Sequence, residues 1–179
     1  EEGNVGAGTG CSVGKILGMG RAMKSGFGTY AISSGDLKVG AMVAVNALGD
    51  IYDNGKQIAG PRGDTGLMQT DRLLMEPMDP GGSAWNTTIG LIVTNAAFGK
   101  AQLAKISGMA HNGYARAIRP VHTMMDGDSI YAASTGGLQA DINRVGTMAA
   151  YVMEKAIVQA VRASKSAYDL PGLAENGSF

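Results

Sequence analysis

One stretch decides the fold of this 179-residue chain: Asn86-Thr87-Thr88-Ile89-Gly90-Leu91-Ile92-Val93-Thr94-Asn95. It is rich in β-branched and apolar residues with almost no polar alternation, which is typical of a strand buried on both faces. A long stretch with many turn signals, residues 53–84, comes before it. Irregular connections of that length in a compact domain are usually functional or disordered. We therefore expect a buried strand that follows an irregular and partly mobile connection.

The segments around this strand show two patterns. Short apolar runs bounded by Ser, Gly and Asp predict strands, and apolar residues at every third or fourth position predict helices. In chain order we expect a glycine-rich loop (3–20), a hairpin (27–33 and 38–46), the quoted strand, a helix (100–118), a strand (129–134) and a helix (139–165). The polar tail from Asp169 to Phe179 is expected to fray. This order predicts a single domain of α+β or layered α/β class.

The composition excludes several classes of partner. Fifteen basic and fifteen acidic residues give a formal net charge of zero, so we expect no nucleic acid and no anionic membrane surface as a partner. The apolar runs are far shorter than the roughly 20 residues that a membrane-spanning helix needs. The single cysteine, Cys11, suggests a reducing compartment, and we expect the cytoplasm. Twenty-eight glycines without a repeat predict many tight turns and close backbone contacts.

Three patterns near the beginning of the chain imitate known sites. The segment Gly6–Lys15 resembles a phosphate-binding loop, but Thr9 and Ile16 stand where that loop needs a glycine and a hydroxyl. The dinucleotide fingerprint also fails, because no strand precedes the glycines. Ser12 and Lys15 match the Ser-x-x-Lys pair of penicillin-interacting enzymes, yet the companion motifs are absent. We therefore expect no cofactor.

Two further groups have ordinary structural interpretations. His111 and His122 are the only histidines, and their separation is not that of metal ligands on one helical turn, so a structural role is favoured. Asp126 and Asp128 could bind a metal, but no third ligand cluster accompanies them. A tight turn with two solvated carboxylates is the simpler interpretation, and we expect no metal.

The junction between Asn86 and Thr87 carries the chemical hypothesis. If the bond between them is cut, Thr87 becomes an N-terminal residue with a nucleophilic hydroxyl and a free amine that can act as its base. Such an amine has an unperturbed pKa of roughly 7.7–8.0, which suits a general base near neutral pH. From spacing alone, however, the start of an ordinary strand is the favoured interpretation.

Four blocks of sequence, taken together, favour the chemical hypothesis over the start of an ordinary strand. They are Glu2-Gly-Asn-Val-Gly-Ala-Gly-Thr-Gly-Cys-Ser-Val-Gly-Lys15, Val43-Ala-Val-Asn46, the quoted strand, and Arg119-Pro-Val-His-Thr-Met-Met-Asp-Gly-Asp128. In this order they resemble the DmpA-like L-aminopeptidase/D-esterase family of N-terminal nucleophile hydrolases, which includes the endo-type aminohexanoate-oligomer (nylon oligomer) hydrolases. The junction Asn86-Thr87 and the residue Asp126 resemble the nylon-oligomer branch.

The resemblance implies an autocatalytic cut between Asn86 and Thr87. The α part would end at residue 86, and the β part, 87–179, would begin with the nucleophile Thr87. Asn46 would donate to the oxyanion, and Lys15 would supply positive charge. Asp126 and Asp128 would orient and polarise the amine and hydroxyl of Thr87.

The family fold is a four-layer sandwich of two β-sheets between helices, assembled as a homotetramer of αβ units. Family precursors extend further on the amino side, so an upstream segment is expected to be absent here. The implied substrate is a small amide or peptide. Two alternatives stay open: an aminopeptidase or D-esterase acting on short peptides, and an unprocessed, non-catalytic relative that serves as a binding or assembly subunit.

Overall fold

The computed structural model describes residues 1–77 and 86–174. Within residues 1–77, six strands come before the first helix, and two short 3-10 turns lie near the beginning, at Gly6–Gly8 and Met19–Arg21. In chain order the elements are β1 (Ser12–Val13), β2 (Met23–Lys24), β3 (Phe27–Ser34), β4 (Leu37–Ala44), β5 (Asp50–Asp53), β6 (Lys56–Ala59), α1 (Thr70–Met75), β7 (Ile89–Ala96), α2 (Lys100–Ala117), β8 (Ile118–Arg119), β9 (Ser129–Leu138) and α3 (Ile142–Arg162).

The central sheet has the strand order β3-β4-β7-β9. The predicted hairpin is confirmed as β3 and β4, and its turn includes Gly35, which adopts a φ of 62° that favours glycine. β7 pairs antiparallel with β4 and parallel with β9, in the register Ile89 opposite Ser129. Parallel strands begin at the same edge of a sheet. The residues that lead into β7 and β9 therefore lie side by side.

One face of this sheet is covered by α2 and α3, which confirm the two predicted helices. The core between the layers includes Ile92, Tyr114, Val152 and Ile157, each fully buried. The side chain of Asp141 accepts a hydrogen bond from Arg144 N and so caps α3. A Cβ on Gly28 of β3 would lie 2.2 Å from the carbonyl oxygen of Ala156, so this glycine allows the helix to approach the sheet closely. The structure thus confirms the close contacts that the glycine content predicts.

On the opposite face of the sheet, the expectation that β7 is buried on both sides is wrong. β7 alternates between exposed or half-buried and buried residues rather than being buried on both sides. Ile89 is 52% exposed, and Met42 and Tyr131, which lie opposite Leu91 on the adjoining strands, are 44% and 64% exposed. The reason is that, within residues 1–77 and 86–174, the helical layer covers only one side of this sheet.

The segment 53–84 is more regular than its turn signals suggest. β5 and β6 form a hairpin around Asn54 and Gly55, whose φ angles of 49° and 81° are those of a tight two-residue turn. β5 also pairs with β8, so these three short strands form a second sheet. The helix α1 follows. The interpretation of 53–84 as irregular throughout is therefore wrong, because four-residue strands are too short to show a period. Part of the segment 53–84 was expected to be mobile, and residues 78–85 lie outside the described residues.

Three further segments differ from expectation: the tail, the end of β9 and the glycine-rich beginning. The tail does not fray at its beginning, because Leu170 is 7% exposed and Ala174 N donates to the Ser164 carbonyl at 3.0 Å. Residues 175–179 lie outside the described residues. β9 continues through Gly136 and Gly137 to Leu138, and the glycine-rich beginning contains β1, which pairs with β2. In the described part of the chain, no helix combines the length and the apolar character needed to cross a membrane.

Candidate active site

The Asn86–Thr87 peptide group lies where the leading edges of β7 and β9 meet. Gly127 N donates to the Asn86 carbonyl oxygen at 2.9 Å, and the Thr87 hydroxyl donates to the same oxygen at 2.5 Å. On the other side, Thr87 N donates to the Asn46 carbonyl at 2.8 Å. The half-buried nucleophile candidate and the carbonyl before it are therefore held together between two neighbouring segments.

Asn46 and Lys15 form the second part of the site. The Lys15 ammonium donates to Asn46 Oδ1 at 2.7 Å and reaches the Asn46 carbonyl at 3.4 Å, the same carbonyl that accepts from Thr87 N. Ser12 N also donates to Asn46 Oδ1, at 3.3 Å. Because both partners of Oδ1 are donors, the orientation of the amide is fixed and its NH₂ group points elsewhere.

The charged form of Lys15 is disfavoured by burial. The residue is only 3% exposed, and this burial lowers its pKa to about 8, although the negative charges of Cys11 and Asp126, when these groups are ionised, oppose the shift. A buried ionisable group with a shifted pKa in contact with a polar network is typical of functional sites. The charge of Lys15 can therefore change just above neutral pH.

The structure brings the two acidic residues to the same edge but not into direct hydrogen bonds with Thr87. Asp126 Oδ1 accepts from Leu48 N at 3.2 Å and Oδ2 from the Thr123 hydroxyl at 2.6 Å. It thus ties the segment after Asn46 to the β9 side. Asp128 Oδ1 accepts from Thr88 N at 2.9 Å. The Asp128 side chain is 2% exposed, so the interpretation as a solvated carboxylate is wrong for it.

Sequence reasoning missed two features of this site. Gly127 lies directly over the nucleophile: a Cβ there would be 2.8 Å from Thr87 Oγ1. A glycine between two acidic residues was the available signal. His122 Nδ1 lies 2.9 Å from Asp128 Oδ2, and His122 Nε2 lies 3.1 Å from His111 Nδ1. Their separation in sequence gave no indication of this, because the contact joins α2 to a loop.

The other motifs do not form sites of their own. The Ser12 hydroxyl faces Met19 Sδ at 4.0 Å, so it does not pair with Lys15 in the manner of a Ser-x-x-Lys enzyme. Among residues 1–77 and 86–174, no three His, Cys, Asp or Glu side chains are arranged to hold a metal ion.

Comparisons with known proteins identify relatives of this chain. The profile of Peptidase family S58 matches residues 1–172. An uncharacterized aminopeptidase of Mycobacterium leprae (strain TN) is 33% identical, over 94% of this chain and 51% of that protein. The 6-aminohexanoate-oligomer endohydrolase of Kocuria sp. (strain KY2) is 30% identical, over 90% of this chain and 51% of that protein.

A solved structure shows the same fold. The L-aminopeptidase D-Ala-esterase/amidase of Ochrobactrum anthropi, a prototype of the serine aminopeptidases and a variant of the Ntn hydrolase fold, superposes with a TM-score of 0.65. It is 19% identical, and the match covers 95% of this chain and 48% of that one. The predicted fold class, a layered α/β fold of the N-terminal nucleophile hydrolase type, is confirmed. This chain spans about half the length of the relatives that it matches. Since the family profile extends over nearly all of it, the chain belongs to peptidase family S58.

Proposed function

We propose that this chain is the self-processing part of an amide hydrolase, in which Thr87 first cuts the bond to Asn86 and then serves as an N-terminal nucleophile. The observation that carries the proposal is the arrangement of the Asn86 carbonyl, whose oxygen accepts from both Gly127 N and the Thr87 hydroxyl. Membership of a peptidase family and 30% identity to a 6-aminohexanoate-oligomer endohydrolase support it.

In the processing step, Thr87 Oγ attacks the Asn86 carbonyl carbon. The C–N bond then breaks as the Thr87 nitrogen leaves as an amine, which completes an N→O acyl shift to an ester. Gly127 N already donates to the oxygen that becomes negative, and such a donor typically lowers a barrier by about 3 kcal/mol. Water hydrolyses the ester, giving a carboxylate on Asn86 and a free amine on Thr87.

In turnover, the freed amine takes the proton of the Thr87 hydroxyl as the hydroxyl attacks an external amide. As the family resemblance implies, the Asn46 side chain donates to the new oxyanion, while its Oδ1 accepts from Lys15 and Ser12 N. Lys15 adds positive charge beside the Asn46 carbonyl that holds the Thr87 nitrogen. Asp126 and Asp128 orient the two segments that meet at Thr87.

Replacing the nucleophile tests the proposal. We expect Thr87→Ala to leave the chain uncut and without amide hydrolysis, because the attacking oxygen is gone, and Thr87→Ser to keep part of both. Intact mass with N-terminal sequencing checks this. Thr88→Val is the matched control, because the Thr88 hydroxyl is buried and makes no hydrogen bond within the described part of the chain. Cleavage or hydrolysis by Thr87→Ala would contradict the proposal.

The same samples distinguish two alternatives from the proposed function. A relative that serves only as a binding or assembly subunit would give full-length chain alone, in fresh and aged preparations. An aminopeptidase or D-esterase would process itself but prefer amino-acid amides or D-amino-acid esters to a linear aminohexanoate oligomer. We favour a peptide-like or aminohexanoate-oligomer amide as the substrate.

We further propose that the processed unit forms a homotetramer of αβ units and acts in the cytoplasm. The exposed Met42, Ile89 and Tyr131 on the outer face of the central sheet support association, since apolar side chains grouped on one face favour burial. Light scattering measures the mass in solution, and a monomer at all concentrations would contradict the assembly.

A further inference from the structure

A line of hydrogen bonds leads from α2 to Thr88, the residue after the proposed nucleophile. His111, on α2, faces His122 with 3.1 Å between Nδ1 and Nε2. His122 Nδ1 faces Asp128 Oδ2 at 2.9 Å, and His122 N donates to the same oxygen at 3.3 Å. Asp128 Oδ1 accepts from Thr88 N at 2.9 Å. The processing chemistry described above does not use either histidine.

We propose that His122, backed by His111, is a positioning residue that holds Asp128 on the Thr88 amide and so couples the protonation of the histidine pair to the geometry at Thr87. This inference rests on the proposed function. It makes His122 a residue that acts through Asp128 rather than on the substrate.

Hydrogen-bond chemistry determines the proton arrangement in the pair. His122 Nδ1 faces a carboxylate and therefore carries a hydrogen, which leaves Nε2 of the neutral ring as an acceptor. His111 Nδ1 must then donate to it. One added proton is compatible with the same contact, because a doubly protonated His122 can donate to His111 Nδ1 instead. A second added proton places two cations with 3.1 Å between their nitrogens, and the contact breaks.

The surroundings of the pair favour the neutral and singly protonated states. Burial of His111 and the charge on a protonated His122 lower the His111 pKa, while Asp128 opposes that shift. Tyr114, on the same helix, packs edge-on against His111 and donates its hydroxyl to the carbonyls of Thr88 at 3.2 Å and Ser129 at 3.3 Å. Burial raises the Tyr114 pKa, so this hydroxyl stays neutral. Asp128 is therefore the group facing the pair whose negative charge can attract a proton.

The backbone conformation at His122 allows substitutions that remove the ring without straining the backbone. Its φ of 58° lies in the left-handed region, which glycine and asparagine tolerate. His122→Gly removes the ring without backbone strain. His122→Asn keeps a short N–H donor toward Asp128 but cannot titrate or reach His111 in the same way. Met124→Ala, at a fully exposed side chain in the same loop, is the control.

The rate of cutting at Asn86–Thr87 gives the first readout. We expect His122→Gly to slow processing by about tenfold or more, since a small misplacement of the reacting groups is costly. His122→Asn should restore most of the rate. The parent should slow as the pH falls below the ordinary histidine range, and His122→Asn should lack this acid limb. Equal rates in parent, His122→Gly and Met124→Ala would overturn the inference.

The second readout does not depend on cleavage. In uncut Thr87→Ala, the NMR shift of the Thr88 amide proton should titrate with the histidine pair, and in Thr87→Ala/His122→Asn it should not. If the amide titrates but the parent never cuts, the proposed function fails and the coupling stands. If the parent cuts and the amide shift does not follow the histidines, the coupling is wrong.

Discussion

At the scale of single residues, Lys15 is a buried charge that lowers the stability of the fold. Its ammonium is almost completely buried, and its hydrogen bonds end on Asn46. Burying a charge costs free energy unless its partners compensate, and the lowered pKa of about 8 shows that compensation is incomplete. A residue kept for packing alone would be better served by an apolar side chain of the same length. We therefore propose that Lys15 is kept for the charge that it places beside Asn46.

This cost predicts a specific pH dependence. In the unfolded chain Lys15 has its ordinary pKa of 10.5, so between pH 8 and 10.5 the unfolded state binds more protons and the free energy of unfolding rises with pH. The penalty is fully present at pH 7. Relative to Lys15→Met, the parent should therefore gain about 2 kcal/mol of stability between pH 7 and pH 9.5.

Denaturant unfolding of both chains at the two pH values measures this difference. The exposed Lys105→Met controls for the loss of a lysine elsewhere. We expect Lys15→Met also to lose most of its processing at Asn86–Thr87. A parent and a Met variant whose stabilities change in parallel with pH would show that the Lys15 charge is not buried in solution.

Residue identity made only part of the site predictable. Resemblance pointed to Lys15 and Asn46, which the structure places in contact with each other, and Asn46 touches Thr87 through its carbonyl. The roles of these residues stay predictions. His122 was not predictable in this way, because its contact with Asp128 depends on a loop conformation with positive φ and on the placement of α2. Neither property has a period or a spacing in the sequence.

At the scale of elements, long periodic segments were predictable and short ones were not. The helices α2 and α3 match their predicted spans to within a few residues, because each presents several turns of one apolar face. The hairpin of β5 and β6 was missed, since two four-residue strands around Asn54 and Gly55 resemble an irregular connection. The face that β7 buries depends on which layers surround it, and its own sequence does not contain that information.

The close packing of α2 on α3 leads to a prediction for two glycines of α2, Gly108 and Gly113. A Cβ on Gly113 would lie 2.5 Å from the Ala150 carbonyl oxygen of α3, whereas a Cβ on Gly108 would meet nothing within 4 Å. We expect Gly113→Ala to lower the free energy of unfolding by about 1–3 kcal/mol, because the helices must move apart. Gly108→Ala should raise it by about 0.5–1 kcal/mol through helix propensity. Thermal or denaturant unfolding of the pair checks both signs, and equal effects would mean that the helices are not this close.

At the scale of the whole molecule, strands from both sides of the proposed cut belong to the same sheet. The part before Thr87 supplies β3 and β4, and the part after it supplies β7, β9 and both long helices. β7 is hydrogen-bonded to β4 on one side and to β9 on the other. Residues near the two ends also meet, since the Asn4 side chain and the Lys165 backbone exchange two hydrogen bonds. We therefore propose that the segments before and after Thr87 form one domain.

This interlocking predicts how the cut protein behaves. Fragments 1–86 and 87–179 should stay together on native size-exclusion chromatography and separate only in denaturant, because parting them would expose the edges of β4 and β7 and the face of α3 that packs on Gly28. Raising the salt concentration should not release them. The ion pair of Arg162 with Asp53, 2.8 Å apart, involves a half-exposed side chain and adds little, whereas the buried apolar contacts are insensitive to screening. Arg162→Ala should accordingly leave the fragments associated. If they elute separately without denaturant, β7 does not lie between β4 and β9 in the processed protein, and Thr87 would be carried away from Asn46 and Lys15.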